Sequence, residues 1–231
     1  MTQEAAPLAP QRFGTRVRSI HGDSFDDPWD WLREDDNPEV IAHVTAENQW
    51  ADQVCAPMQE LAHTLVSEFD ALTAPVVYSA PQRVGDWWYF HRQYHQDSYA
   101  KHYRVSAQTY PQTPLVSDSQ TLKGEELLLD ENLCAQDEEF FKVAELVPTT
   151  DGRLIAWARD TEGDERWTWV IQDAASGQII DQLVTGAGYG FAWAEDSQSF
   201  IYTRVDDAWR QYQLMHHRLG EETSKDTLLL E

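Results

Sequence analysis

The chain has 231 residues, 42% hydrophobic and 12% aromatic, which is enough apolar material for a packed core and excludes an intrinsically disordered protein. Its 40 acidic and 17 basic residues give a net charge of −23, which argues against nucleic acid and anionic membranes as partners, because phosphates require basic counter-charge. The acidic excess favours solubility through self-repulsion, with attraction of cationic substrates as the alternative.

Cysteine content and hydropathy bear on the compartment. Cys55 and Cys134 form no metal motif and are interpreted as free, buried thiols in a reducing environment. No apolar run approaches the roughly 18 residues that indicate a membrane span. The sequence therefore predicts a soluble, cytoplasmic protein.

The N-terminal third is predicted to be a leader followed by a helical arm. Residues 1–26 carry scattered polar residues and no signal-peptide pattern, so we expect them to be mobile. Asn37 is a good N-cap and Pro38 suits the first helical turn. Pro57 predicts a kink. The N-terminal extension and the helical arm together are assigned to residues 1–75. Apolar residues at helical spacing form one face, comprising Val40, Val44, Ala51, Val54, Met58, Leu61, Leu65, Phe69 and Leu72.

The pattern then changes to strands rich in aromatic residues. Residues 87–94 and 99–107 are predicted to form a hairpin around a polar turn at 96–98. Residues 115–116 and 127–129 are predicted to complete a four-stranded sheet. This segment resembles a divergent copy of the repeat that follows it.

A repeat with an offset of 45 residues holds over about 34 residues without a gap. A period of this length, filled with short strands, is typical of a β-propeller blade. The predicted fold is mainly β with an N-terminal helical arm, followed over residues 76–231 by an incomplete β-propeller of about three four-stranded blades out of an expected seven. The blades are assigned to residues 76–135, 140–187 and 188–231, and another β meander or sandwich is the alternative. Matched pairs include Asp151 and Asp196, Ile155 and Phe200, Trp157 and Tyr202, Arg159 and Arg204, Trp167 and Tyr212, and Asp181 and Asp226.

No residue is predicted to be catalytic, cofactor-binding or metal-ligating. Ser176 is assigned to a hairpin turn, because it lacks the G-x-S-x-G setting of an α/β-hydrolase nucleophile. Residues 186–190 lack the third glycine of a dinucleotide loop, since Phe191 occupies that position, and are assigned to a connection between blades. His91 and His95 would share one face of a strand and make a metal pair geometrically possible, but no companion ligand has convincing spacing.

The remaining polar clusters are interpreted as surface features. His102 is grouped with His91 and His95 along the chain. His216 and His217 are predicted to point to opposite faces of one strand. Acidic residues gather in residues 26–36 and 137–139, where a solvated acidic face is the simplest interpretation.

Over about residues 26 to 231, several motifs occur in the same order as in a known protein family. The chain resembles the N-terminal part of the prolyl oligopeptidase family of serine peptidases, with the oligopeptidase B (protease II) branch as the most similar. The family's usual tyrosine is Trp29 here. The motifs are Asp27-Pro28-Trp29-Asp30-Trp31-Leu32-Arg33-Glu34-Asp35, Ala46-Glu47-Asn48, Leu129-Asp130-Glu131-Asn132, Thr150-Asp151-Gly152-Arg153-Leu154-Ile155-Ala156, Asp160-Thr161-Glu162-Gly163-Asp164-Glu165, and His217-Arg218-Leu219-Gly220 with Asp226.

The resemblance implies a seven-bladed propeller that caps an α/β-hydrolase domain carrying Ser, Asp and His, with cleavage of short peptides after Arg or Lys. The propeller would exclude folded proteins, and the arm would pack along the catalytic domain. The expected partners are that hydrolase domain and, through it, peptides with basic residues.

The chain ends at Glu231, before any catalytic position, so we expect a fragment, a split-gene product or a truncated homologue without activity of its own. The alternatives are a non-catalytic propeller for protein interaction and one half of a split peptidase.

Overall fold

The computed structural model describes residues 5–14, 16–117 and 120–231, apart from the side chains of residues 182–185. The chain divides into two compact units, Met1–Thr73 and Ala74–Glu231.

The first unit starts with a β-hairpin. Strand β1 (Val17–Ile20) pairs antiparallel with β2 (Asp23–Asp26) around a turn in which Gly22 has a φ of 85°. Glycine suits this turn because it carries no Cβ to clash in the left-handed region. The expectation of a mobile leader over residues 1–26 was therefore wrong for the hairpin, whose two short polar strands are held by backbone hydrogen bonds.

The predicted helical arm consists of two helices. Helix α1 (Pro38–Cys55) and helix α2 (Gln59–Leu72) are joined by a 3-10 turn (Ala56–Met58) that contains the predicted proline interruption. The side-chain oxygen of Asn37 accepts a hydrogen bond of 2.9 Å from the Glu39 amide, so Asn37 is the N-cap as predicted. No helix in the described ranges is long and apolar enough to cross a membrane.

The apolar face of the arm is mostly exposed. Val40 is buried, whereas Met58, Leu61, Phe69 and Leu72 are each more than half exposed. Helical periodicity thus located the helices correctly, but most of the face that it identified does not belong to a core.

The second unit contains two antiparallel sheets, of which the first is named blade 1. Its order is β3-β5-β6-β7, with β4 also pairing with β5, and the predicted aromatic hairpin is confirmed as β5 and β6. The predicted strand at residues 115–116 was wrong: the segment is a loop, although Val116 is buried against Trp88 and Leu122. The strands of blade 1 are β3 (Val76–Tyr78), β4 (Gln82–Val84), β5 (Trp87–Tyr94), β6 (Lys101–Ser106) and β7 (Glu126–Asp130).

Helix α3 (Glu131–Cys134) follows blade 1 and leads into a seven-stranded sheet in which each strand pairs with its neighbours in sequence. The 15 residues of its fourth strand pair first with the preceding strand and then with the following one, so two repeats share one strand. The seven strands are β8 (Lys142–Pro148), β9 (Leu154–Asp160), β10 (Trp167–Asp173), β11 (Ile179–Trp193), β12 (Ser199–Val205), β13 (Gln211–Arg218) and β14 (Thr227–Leu230).

The repeat appears directly in the strand limits, because β9 and β12 begin and end 45 residues apart. We name β8 to the first half of β11 blade 2, and the second half of β11 to β14 blade 3. Residues 186–190, predicted to connect two blades, lie within β11, where its pairing passes from β10 in blade 2 to β12 in blade 3. The exact limits of the blades and their total number stay predictions.

Packed faces join the blades, and each buried large side chain contributes about 1.5–3 kcal/mol through loss of apolar surface to water. One cluster lies between blades 1 and 2 and includes Tyr89, Leu128, Ile155, Trp157 and Val170. A second lies between blades 2 and 3 and includes Trp167, Trp169, Ile171, Phe200 and Tyr202.

Candidate functional site

A cleft of about 370 Å³ lies between blade 1 and β8. This volume is within the range of about 300–1,000 Å³ that small-molecule sites occupy. A β-bulge shapes its wall, because the register of β8 shifts between Val143 and Glu145, and such bulges bend a strand locally. Apolar side chains on the wall are Tyr89, Leu128, Val143 and Leu146, and polar ones are Ser79, Gln82, His91, His102, Glu131 and Glu145.

Two histidines and a glutamate form the polar centre of this cleft. His91 on β5 lies directly opposite His102 on β6, and their ring centroids are 5.6 Å apart. The Nε2 atom of His102 is 2.6 Å from Oε1 of Glu131, so the imidazole donates a hydrogen bond to the carboxylate. The backbone amide of His91 donates to the hydroxyl of Ser79 at 3.0 Å, which fixes the loop between β3 and β4 against β5.

The imidazole of His91 favours its neutral form. Burial is the main reason that its pKa is lowered, the electrostatic interaction with His102 lowers it further, and the carboxylate of Glu131 partly opposes both. Among the described residues, the ring nitrogens of His91 have no hydrogen-bond partner. The cleft therefore contains a neutral imidazole that can accept one hydrogen bond and donate another.

Sequence reasoning paired the wrong histidines. Strand β5 ends at Tyr94, so His95 does not share a strand face with His91, and the actual neighbour is His102 across the hairpin. The predicted turn at residues 96–98 could have indicated this, because the two histidines flank that turn at similar distances. No group of three or more His, Cys, Asp or Glu side chains in the described part of the chain could hold a metal ion.

A second polar cluster lies between blades 2 and 3. His217 is fully buried, with Nδ1 2.7 Å from Asp226 and Nε2 3.1 Å from Asp181. The hydroxyl of Tyr202 donates to the other oxygen of Asp226 at 2.7 Å. The interpretation of His217 as a surface residue was therefore wrong. This cluster joins the outer strand of blade 2 to blade 3 and is closed to ligands by its burial.

Other residues considered from the sequence lie apart from both clusters. Ser176 lies in the turn between β10 and β11, where its hydroxyl donates to Asp173 at 2.8 Å. Cys55 is exposed, so its interpretation as a buried thiol was wrong, whereas Cys134 is half-buried and burial raises the pKa of its thiol. Residues 137–139 are exposed.

The N-terminal acidic group is partly paired. The guanidinium of Arg18 lies 2.9 Å from the Asp27 carboxylate and 2.7 Å from the Asp30 carboxylate. Both carboxylates therefore form ion pairs with a residue of the first unit.

Comparison with known proteins gives the family. The family model described as "Prolyl oligopeptidase, N-terminal beta-propeller domain" matches residues 10–231. Dipeptidyl aminopeptidase BI of Pseudoxanthomonas mexicana is 30% identical over 224 residues, which are 93% of this chain and 31% of that protein. Protease 2 of Moraxella lacunata is 28% identical over 214 residues, covering 92% of this chain and 30% of that protein.

Solved structures agree in fold. Oligopeptidase B from Trypanosoma brucei, with covalently bound antipain, superposes with a TM-score of 0.80 at 26% identity, over 98% of this chain and 32% of that one. Oligopeptidase B from Leishmania major has a TM-score of 0.81 at 22% identity, over 98% and 33% of the two chains. The chain spans about a third of the length of these proteins. It belongs to the prolyl oligopeptidase family and corresponds to the N-terminal β-propeller region of its members.

Proposed function

We propose that the chain forms the propeller region of a serine oligopeptidase that cleaves short peptides, preferentially after Arg or Lys. The observation that carries this proposal is the family match over residues 10–231. The α/β-hydrolase domain that supplies Ser, Asp and His is then its principal partner, and the propeller contributes no catalytic group. We further propose a cytoplasmic enzyme, because the two cysteines are free thiols, which suits a reducing compartment.

The role proposed for the propeller is control of substrate access. Packed aromatic clusters join its neighbouring blades, so its wall is expected to resist entry of a folded protein. The net charge of −23 adds a long-range attraction for cationic peptides, which raises their rate of encounter.

The test uses the complete enzyme and the 231-residue chain in parallel. For the enzyme, we expect turnover of short fluorogenic peptides with Arg or Lys before the scissile bond, and kcat/KM for these peptides should fall as salt screens the charge. Peptides with Gln at that position and folded proteins should be poor substrates. The chain alone should show no turnover. Turnover by the purified chain that a serine-reactive inhibitor abolishes would refute the assignment, as would efficient cleavage of folded proteins by the enzyme.

A second candidate is a protein-interaction module, which the exposed apolar residues of helix α2 and of the turn before it favour. Met58, Leu61, Phe69 and Leu72 form a surface that suits a protein partner. Under the first proposal that partner is the hydrolase domain. A pull-down that recovers a specific different partner, lost when Leu61 and Phe69 are both changed to Ser, would favour the second candidate.

A further inference from the structure

We propose that the cleft between blade 1 and β8 binds the guanidinium group of an arginine side chain. The inference relies on the proposed function only for the source of the arginine, a peptide substrate. The chemistry of the site is argued from the residues that line it.

Two acidic residues and a neutral imidazole are among the polar residues that line the cleft. The acidic residues are Glu131 and Glu145, and the neutral imidazole of His91 supplies one acceptor nitrogen. Beyond the bond from His102, no further hydrogen bond to the Glu131 carboxylate is found among the described residues, and Glu145 has no ion pair there. A ligand that donates several hydrogen bonds and carries positive charge suits such a lining. Guanidinium has five N–H donors and no acceptor, and it stays charged at all relevant pH values.

The apolar wall suits the rest of an arginine side chain. Leu128, Val143, Leu146 and the ring of Tyr89 lie beside the polar groups in the same cavity. The methylene stem of arginine packs on apolar surface while its head group remains hydrogen-bonded. At about 370 Å³ the cavity is far larger than the roughly 30 Å³ that one water molecule occupies in the liquid.

Other classes of ligand fit less well. An anion would meet a lining with two acidic residues, and the residues that line the cleft in the described part of the chain include no lysine or arginine. A metal ion is disfavoured because no group of three potential ligands with suitable geometry is found among the described residues. A lysine ammonium has the right charge but only three donors on a compact head group, so guanidinium makes better use of separated acceptors.

The experiment measures binding to the 231-residue chain directly. Nα-acetyl-arginine amide is titrated against the 15N-labelled chain, and the ring signals of its histidines are followed by NMR. The corresponding citrulline compound has almost the same shape without the charge, and the lysine compound tests the head group. We expect saturable shifts of His91 and His102 with the arginine compound, at least about tenfold weaker binding of the citrulline compound, and no shift of His217.

Variants separate the cleft from the general acidity of the chain. Glu131→Gln should weaken binding about tenfold or more, because a charge-assisted hydrogen bond is lost. Glu139→Gln removes the same charge from an exposed position outside the cleft and should leave binding within about twofold of wild type. Glu145→Gln changes an exposed residue of β8, so it keeps the test valid if Glu131→Gln fails to fold, and it should weaken binding several-fold.

Five outcomes would overturn the proposal: no binding of the arginine compound by the chain, equal binding of the citrulline compound, equal binding of the lysine compound, equal effects of Glu131→Gln and Glu139→Gln, or arginine-induced shifts centred on His217. If the chain fails to bind while the complete enzyme still prefers arginine substrates, the cleft proposal fails and the proposed function stands. If the chain binds the arginine compound but the complete enzyme has no peptidase activity, the cleft proposal stands and the proposed function fails.

Discussion

A close backbone contact between blades 1 and 2 gives a sharp test of how the two sheets meet. Gly85, in the turn between β4 and β5, has a φ of 56°, and a Cβ added there would overlap the carbonyl oxygen of Thr150 in blade 2. Gly124 in blade 1 has a φ of 74° but no atom within 4 Å of its added Cβ. Substitution of each by alanine therefore imposes the same kind of backbone strain, while only Gly85→Ala forces the blades apart.

The expected difference follows from two contributions. A left-handed backbone conformation destabilises a non-glycine residue by about 1–2 kcal/mol. Alanine also lowers the conformational entropy of the unfolded chain, which stabilises the folded state by about 0.4–1 kcal/mol. Gly124→Ala should therefore lower the free energy of unfolding by about 1 kcal/mol. Gly85→Ala adds the cost of displacing a packed backbone, about 1–3 kcal/mol, and should lose about 3 kcal/mol in total.

Urea denaturation followed by tryptophan fluorescence measures both variants, since the chain has ten tryptophans. Thermal unfolding should show a drop of about 6–12 °C in Tm for Gly85→Ala, at about 2–4 °C per kcal/mol for a domain of this size. If the two variants differ by less than about 0.5 kcal/mol in the free energy of unfolding, the close approach of the two turns is refuted.

Three further substitutions test buried polar groups. Burial raises the pKa of Asp160, but hydrogen bonds from the backbone amides of the following turn outweigh this effect and hold the pKa below its usual range. Asp160→Asn should lower the free energy of unfolding by about 2 kcal/mol at pH 7. In urea melts this loss should shrink as the pH falls through the pKa of Asp160 in the folded chain. His217→Leu removes the hydrogen bonds between the buried imidazole and the carboxylates of Asp226 and Asp181 and should cost about 3 kcal/mol in the same assay, so a loss below about 1 kcal/mol would contradict the buried network. Burial, and after it the electrostatic interaction with His102, lowers the pKa of His91, so the unfolded chain binds the proton first and stability should fall as pH drops below about 6.5. His91→Gln should flatten that dependence, and an unchanged pH profile would contradict it.

The sequence predicted those elements whose signal is local or periodic. The cap at Asn37 and the proline interruption located two helices, and the 45-residue offset located β9 and β12 at matching limits. Two segments rich in aromatic residues, separated by a polar turn at 96–98, located the β5–β6 hairpin. In each case the determining interaction acts within a few residues or recurs at a fixed interval.

The candidate site depended on information that the sequence does not display. His102 meets Glu131 because β6 and β7 are paired with a register shift beside His102, and no local pattern encodes such a shift. The burial of His217 could have been inferred from its motif with Asp226, but its second carboxylate, Asp181, comes from the preceding repeat. Long-range register and contacts between repeats are therefore what sequence reasoning lacked.

The shared strand β11 has a mechanical consequence. Blades 2 and 3 share one strand, whose first half pairs within blade 2 and whose second half pairs within blade 3, whereas blade 1 belongs to a separate sheet. Parting blades 2 and 3 would bend this continuous strand at Ala187, which pairs with Trp167 on one side and with Arg204 on the other. Blade 1 contacts blade 2 through side chains and hydrogen bonds such as that from Gln172 to the Leu128 carbonyl. We therefore expect the second unit to bend more easily between blades 1 and 2, along the cleft that holds His91 and Glu131.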